Sequence, residues 1–334
     1  MVRLRPVACP AGRGKFETPK LPKDDDESCY QGSGQLLNAQ SPMHRRLLED
    51  RQSPAETGKS SRGEKRIMKK VFLVVSTLMA GSASAQEGSG GGADLAKQLS
   101  NPIASLISVP LQFNYDTGYG PADGEKAFVN VQPVIPISLN EGWNVISRTI
   151  VPIAWQDDIA GNSGDQFGLG DVVQSLFFSP KEPGPGGIIW GVGPVALIPT
   201  ATDPLLGGEK WGAGPTAVVL RQSGGWTYGA LANHIWSFAG DNSRADVNAT
   251  FIQPFISYTT PDAWTFALNT ESTYNWTAET WSVPINFTVS KLVRFGQQPV
   301  SLTGGVRYWA ESPATGPEGF GGRLGVTFLF PTGG

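Results

Sequence analysis

From Trp264 to Phe295 the side chains change character at nearly every step. Trp264, Phe266, Leu268, Thr270, Ser272, Tyr274 and Trp276 share one parity; Thr265, Ala267, Asn269, Glu271, Thr273 and Asn275 share the other. After a short break, Trp281, Val283, Ile285, Phe287 and Val289 alternate with Ser282, Pro284, Asn286, Thr288 and Ser290. A period of two belongs to a β-strand, whose successive side chains leave opposite faces. The length of the run and its end residues narrow the choice further. Trp264 and Trp276 share a face twelve positions apart, which at about 3.3 Å per residue is about 40 Å of strand. Tilted by about 40°, such a strand rises about 30 Å, close to an apolar band of about 25 Å bounded by aromatic girdles. The pattern predicts a hairpin of an antiparallel transmembrane β-barrel. The competing fold is a soluble β-sandwich, but its strands average about five or six residues. Its solvent face would also gain nothing from tryptophan at both ends.

The N-terminal region reads differently. Residues 1–67 are charged, contain proline, show no period, and hold Cys9, Cys29 and His44. Met68-Lys69-Lys70 then precedes the apolar run Val71 to Ala80, followed by Ala83-Ser84-Ala85 and Gln86. A basic start, a short apolar core and an A-x-A site form the layout of a secretory signal peptide. The core falls short of the roughly 20 residues a transmembrane helix needs. Residues 1–67 are therefore expected to come from a mis-called start, with translation beginning at Met68, or to be a disordered leader. Residues 68–85 are expected to be the signal peptide. The 249 residues that follow carry 11 Lys and Arg against 20 Asp and Glu, a net charge of −9; they hold all ten tryptophans and no cysteine. An exported chain without disulfides needs another source of stability, and a closed strand ladder supplies one.

Residues 86–104 open with a Gly/Ser tail, and Ala93 to Leu99 suits one or two helical turns before Pro102. This segment is expected at the periplasmic mouth as a plug helix. The barrel is expected over 105–331, with about twelve strands at 105–117, 127–139, 143–156, 167–179, 188–201, 213–222, 226–239, 247–259, 264–277, 281–295, 299–311 and 319–330. Ten or fourteen strands also fit, because strands four to six are rich in Gly and Pro. Connections after even strands are mostly tight, and those after odd strands mostly longer and charged, the asymmetry of an outer-membrane barrel.

Charged residues of inward parity are the candidate site. Asp116, Arg148, Asp171, Glu271, Arg307 and Arg323 are expected to line the lumen and to set solute or ion selectivity. Facing lipid, an Arg would cost about 2–4 kcal/mol at the midplane. Trp143, Trp155, Trp264, Trp276 and Trp281 are expected in the aromatic girdles. Other motifs lead nowhere. Gly191 to Ala196 satisfies G-x-G-x-x-A, but Pro194 and the strand-like residues after it forbid the helix that a nucleotide fingerprint requires. Gly168 to Asp171 reads as a kink or bulge. His234, the single histidine after residue 85, shares its parity with Tyr228, Trp236 and Phe238, while Ser237 lies on the other. No catalytic residue is assigned and no cofactor is expected. One histidine and no cysteine argue against a transition-metal site, and Asp157, Asp158 and Asp165 read as solvated loop charge ahead of a Ca²⁺ ligand set.

Four stretches resemble a known family. They are Asn101 to Gln112, Phe167 to Asp171, Gly193-Pro194 through Ile198 to Asp203, and Lys210 to Pro215. Together they resemble the meta-pathway phenol-degradation family of outer-membrane proteins, many of them labelled transporters. The resemblance spans about residues 95–330. It implies a bacterial outer-membrane barrel that passes small, often hydrophobic or aromatic, compounds. The partners expected are outer-membrane lipid and lipopolysaccharide, a small-molecule solute and the barrel-insertion machinery, with no nucleic acid. The readings to be separated from a channel are a barrel-embedded lipid hydrolase and a structural or adhesive barrel.

Overall fold

The computed structural model describes residues 91–331. The leader and signal peptide expected over residues 1–85 lie outside the described residues. Among the described residues one α-helix, α1 (Gly91–Leu99), precedes fifteen strand segments. These are β1 (Ile107–Tyr119), β2 (Gly124–Val131), β3 (Val134–Ser138), β4 (Trp143–Asp157), β5 (Asp165–Leu169), β6 (Val172–Pro180), β7 (Ile188–Ile198) and β8 (Lys210–Ser223). They continue with β9 (Trp226–Gly240), β10 (Asn248–Thr259), β11 (Trp264–Thr270), β12 (Ser272–Asn275), β13 (Thr280–Phe295), β14 (Gln298–Glu311) and β15 (Gly319–Phe330). Three pairs, β2/β3, β5/β6 and β11/β12, run on as single wall strands, so the wall counts twelve. All pairs are antiparallel and the ring is closed. β1 joins β15 from Ile107↔Phe330 to Tyr115↔Gly322, and β9 joins β10 on the other side.

The three interruptions have local causes. Between β2 and β3 stands Pro133, which has no N–H to donate to a ladder. Between β11 and β12 stands Glu271, opposite Pro284, and its own N–H reaches Pro284 O at 3.4 Å. Pairing resumes in unchanged register, with Phe255↔Asn269 before the gap and Ile252↔Ser272 after it. Between β5 and β6 the wall opens at Gly170-Asp171, and the loop after β7 fills the opening. Thr202 Oγ1 accepts from Leu169 N at 3.0 Å, and Thr200 Oγ1 accepts from Val172 N at 3.0 Å while donating to Gly170 O at 2.9 Å. That loop is why β7 stops at Ile198 rather than 201. The stretch 118–126, expected as a loop, is mostly strand. β1 runs to Tyr119 and β2 begins at Gly124, joined by a short 3-10 turn whose closing residue, Asp123, takes the left-handed conformation at φ 53°. The period of two continues into both flanks, and the charge of this stretch hid it.

Burial is inverted relative to a soluble protein. Asn114, Asp116, Gln156, Thr227 and Asn286 are fully buried, whereas Trp226, Trp236, Phe266, Leu268, Phe287 and Val306 are exposed. Apolar side chains thus cover the outside and polar ones fill the inside, the arrangement that suits a hydrocarbon surround. Tight connections gather at one end, the turn end, and longer ones at the other, the loop end. At the turn end the interior becomes apolar. Ala96 of α1, Ala104 and Leu106 pack on Ala263, Leu292 and Leu329, and Gln222 Nε2 donates to Lys97 O at 2.9 Å. Ile103 reaches further in, among Ile146, Phe177, Val218, Leu220 and Leu231. α1 and the residues after it therefore pack against the inner side of the wall at the turn end.

Candidate functional site: the charged belt of the lumen

The inward faces of β4, β15, β1 and β14, with Glu271 from the β11/β12 gap, supply the charge. Arg323 binds Glu271 through two parallel bonds, Nη1 to Oε1 at 2.9 Å and Nη2 to Oε2 at 2.7 Å, and its Nε donates to Asn114 Oδ1 at 2.7 Å. Such a fork fixes orientation as well as distance. Arg148, from the opposite flank, donates to Gln132 Oε1 at 3.0 Å. A second pair lies beside the first. Arg307 Nη1 is 3.1 Å from Asp116 Oδ2, and Trp309 Nε1 donates to Asp116 Oδ1 at 3.1 Å. Arg307 also lies over the rings of Trp309 and Phe128, at 5.1 and 5.7 Å from their centroids.

The wall explains how the second pair meets. Arg307 on β14 and Asp116 on β1 flank Gly321 on the strand between them. A Cβ at Gly321 would sit 2.3 Å from Asp116 Oδ1. The absence of a side chain there lets two long side chains join across the intervening strand.

Two cavities occupy the lumen. The larger, about 440 Å³, is floored by Ala96 and Leu99 and reaches Arg148, Glu271 and Arg323. The smaller, about 390 Å³, holds Asp116, Lys126, Asp171, Arg307 and Trp309. Asn130 lines both, so the ion pairs form a belt between them. Around these cavities stand four cations, Lys126, Arg148, Arg307 and Arg323, against three carboxylates, Asp116, Asp171 and Glu271. The lumen is slightly cationic although the chain after residue 85 is acidic.

Five of the six candidate lumen residues, Asp116, Arg148, Glu271, Arg307 and Arg323, come together in this belt. Asp171 stands apart. Its Oδ1 accepts from Ala201 N at 3.2 Å and its Oδ2 from Gly208 N at 2.6 Å, so it pins the loop after β7 over the wall gap. Of the candidate girdle residues, Trp143 and Trp264 lie exposed at the turn end, where Trp190 meets Trp143 edge-on at 5.8 Å and Lys291 covers Trp264. Trp276 and Trp281 lie exposed at the loop end, each within 4.9 Å of Tyr274, and Trp155 is half-buried there. Sequence reasoning passed over Trp309, Gly321 and Lys126. Stepping by two from Arg307 would have placed Trp309 inward, but the partner of Gly321 depends on register, which the sequence does not display.

His234 lies on the outer face. Its Nδ1 is 2.7 Å from Thr250 Oγ1, which accepts from Trp276 Nε1 at 2.8 Å, and its ring is tilted against that of Trp236 with centroids 3.9 Å apart. Ser237 donates instead to Asp246 at 3.2 Å, so no Ser–His pair forms. Among the described residues, no group of three or more His, Cys, Asp or Glu side chains is placed to hold a metal.

No protein-family model matches this chain, and no curated protein matches it. Solved structures do. The crystal structure of the COG4313 outer membrane channel from Pseudomonas putida F1 aligns with a TM-score of 0.53 at 17% identity, over 68% of this chain and 96% of that one. More distant likenesses include outer membrane phospholipase A from Escherichia coli, with a TM-score of 0.42, 11% identity, and 67% and 90% of the two chains. The KdgM porin in complex with disordered oligogalacturonate gives 0.39, 10%, and 67% and 100%. At these identities the likeness is one of fold.

Proposed function

We propose that this chain is a bacterial outer-membrane channel that lets small solutes cross through its lumen, with α1 at the periplasmic side. The observation that carries this reading is the interior. Two cavities with polar inward side chains lie in line inside a closed, externally apolar ring, separated by ion-paired side chains. Side-chain bridges can part without breaking the wall. The COG4313 structure is that of a channel, and it shares the fold over nearly its full length. The sequence resemblance adds the solute class, small hydrophobic or aromatic compounds.

Reconstitution in planar bilayers tests the proposal. Wild type should give discrete conductance steps, and Arg307→Ala with Arg323→Ala should move the reversal potential in a salt gradient toward cations. A refolded barrel that never conducts, with or without α1, would sink the channel reading. The hydrolase reading has one observation in its favour, the His234–Thr250 contact on the lipid side. It predicts fatty-acid release from phospholipid vesicles that His234→Ala abolishes.

A further inference from the structure

The smaller cavity offers more than a passage. At about 390 Å³ it falls within the roughly 300–1,000 Å³ usual for small-molecule pockets. Its wall carries donors without acceptors. Arg307 is 4% exposed, its Nε has no hydrogen-bond partner, and its Nη1 contacts Asp116 Oδ2 without forming a hydrogen bond. Lys126 lines the same cavity and has no hydrogen-bond or ion-pair partner among the described residues. Of the acceptors nearby, Asp116 Oδ1 is engaged by Trp309 and both Asp171 oxygens by backbone amides, which leaves Asp116 Oδ2, 3.1 Å from Arg307 Nη1, as one open oxygen against two cations. Apolar surface stands beside these donors, from the rings of Phe128 and Trp309 and from Leu206. A buried guanidinium with open donors calls for a charged acceptor. A carboxylate supplies two oxygens for Arg and Lys, and a ring carried on it would pack against the aromatic faces.

We propose that this cavity binds a small aromatic monocarboxylate, its carboxylate between Lys126 and Arg307 and its ring against Phe128 and Trp309. The inference deepens the channel reading by naming the class of solute that pauses in the lumen. Calorimetric titration of the refolded full barrel in micelles with benzoate, benzamide and acetate tests it without relying on conduction. Benzoate should bind at least about tenfold more tightly than either of the others, since one charge-assisted bond or one ring contact is worth about that factor. Lys126→Met should lose about the same factor for benzoate with circular dichroism unchanged, and Lys126→Arg should retain binding. Phe128→Leu should narrow the gap between benzoate and acetate. Equal binding of benzamide and benzoate, or unchanged affinity in Lys126→Met, would overturn the proposal. A barrel that conducts yet binds no benzoate loses the site and keeps the channel. One that binds benzoate through Lys126 yet never conducts keeps the site and loses the channel.

Discussion

At the scale of single residues, the belt is held by charges that have left bulk water. The Arg323 side chain is 6% exposed and that of Glu271 22%. Taking one partner away leaves the other costly, while removing both costs less. Glu271→Gln keeps the shape and deletes the charge, so it should destabilise the barrel by about 2 kcal/mol, the loss expected for hydrogen bonds to a charged group. The double variant Glu271→Gln, Arg323→Met should lose less than the sum of the two single changes. Urea titration of the barrel in lipid vesicles, followed by tryptophan fluorescence, measures both; strict additivity would mean that the pair is uncoupled. The acidic and basic members of the belt were legible from parity alone, because a strand alternates faces regardless of what surrounds it. Their pairing was not. Arg307 meets Asp116 over Gly321, so the contact depends on three strands in register and on a missing side chain, neither of which a linear pattern records.

At the scale of elements, strand number was legible wherever alternation was long, as in β13 and β14, and blurred where glycine and proline broke it. The gap at Gly170-Asp171 is closed by Thr200 and Thr202 from another connection, so two of the sequence stretches that resemble the phenol-degradation family form one hydrogen-bonded unit. Two elements outside the wall yield predictions. Helix α1 has nine residues, too few to be stable alone, and it is held by Ala263, Leu292 and Leu329. Deleting residues 86–100 should raise single-channel conductance, and an unchanged step size would show that α1 does not obstruct the path. The loop between β9 and β10 is anchored by Asp246, whose carboxylate accepts from Lys210 Nζ at 3.0 Å and from Ser237 Oγ at 3.2 Å. The hydrogen bond from Lys210, then that from Ser237, hold the Asp246 carboxyl below its ordinary value. A depressed folded-state pKa stabilises above the unfolded value, about 3.9, and that contribution is lost as pH falls through the folded value. Hydrogen exchange of residues 241–247 should therefore accelerate below about pH 4, and Asp246→Asn should exchange fast at every pH. An acid response that survives in Asp246→Asn would assign the anchoring to another group.

At the scale of the whole molecule, stability and placement come from the match between an apolar ring and its surroundings. Trp143 and Trp264 mark one edge of the outer surface, and Trp276 and Trp281 the other. Between them the exposed face is built from Phe266, Leu268, Ile285, Phe287 and Val306. Tryptophan at an interface keeps its ring in the apolar layer and its N–H near water, so each girdle resists movement in either direction. The twelve positions from Trp264 to Trp276 set a vertical span of about 30 Å at a tilt of about 40°. A bilayer thicker than this must thin around the barrel, at a cost of fractions of a kcal/mol per Å. Spread around twelve strands, that cost should govern folding into preformed membranes. The refolded fraction in phosphatidylcholine vesicles, read by protease protection, should be greatest where the hydrocarbon layer is about 25–30 Å thick and should fall as the acyl chains lengthen. Replacing Trp264 and Trp276 together by Ala removes a girdle residue from each edge of one strand, and should flatten that dependence while leaving the lumen untouched. A refolded fraction indifferent to thickness in wild type would mean that the aromatic edges do not register the membrane, and that the exposed apolar face is covered by something other than lipid.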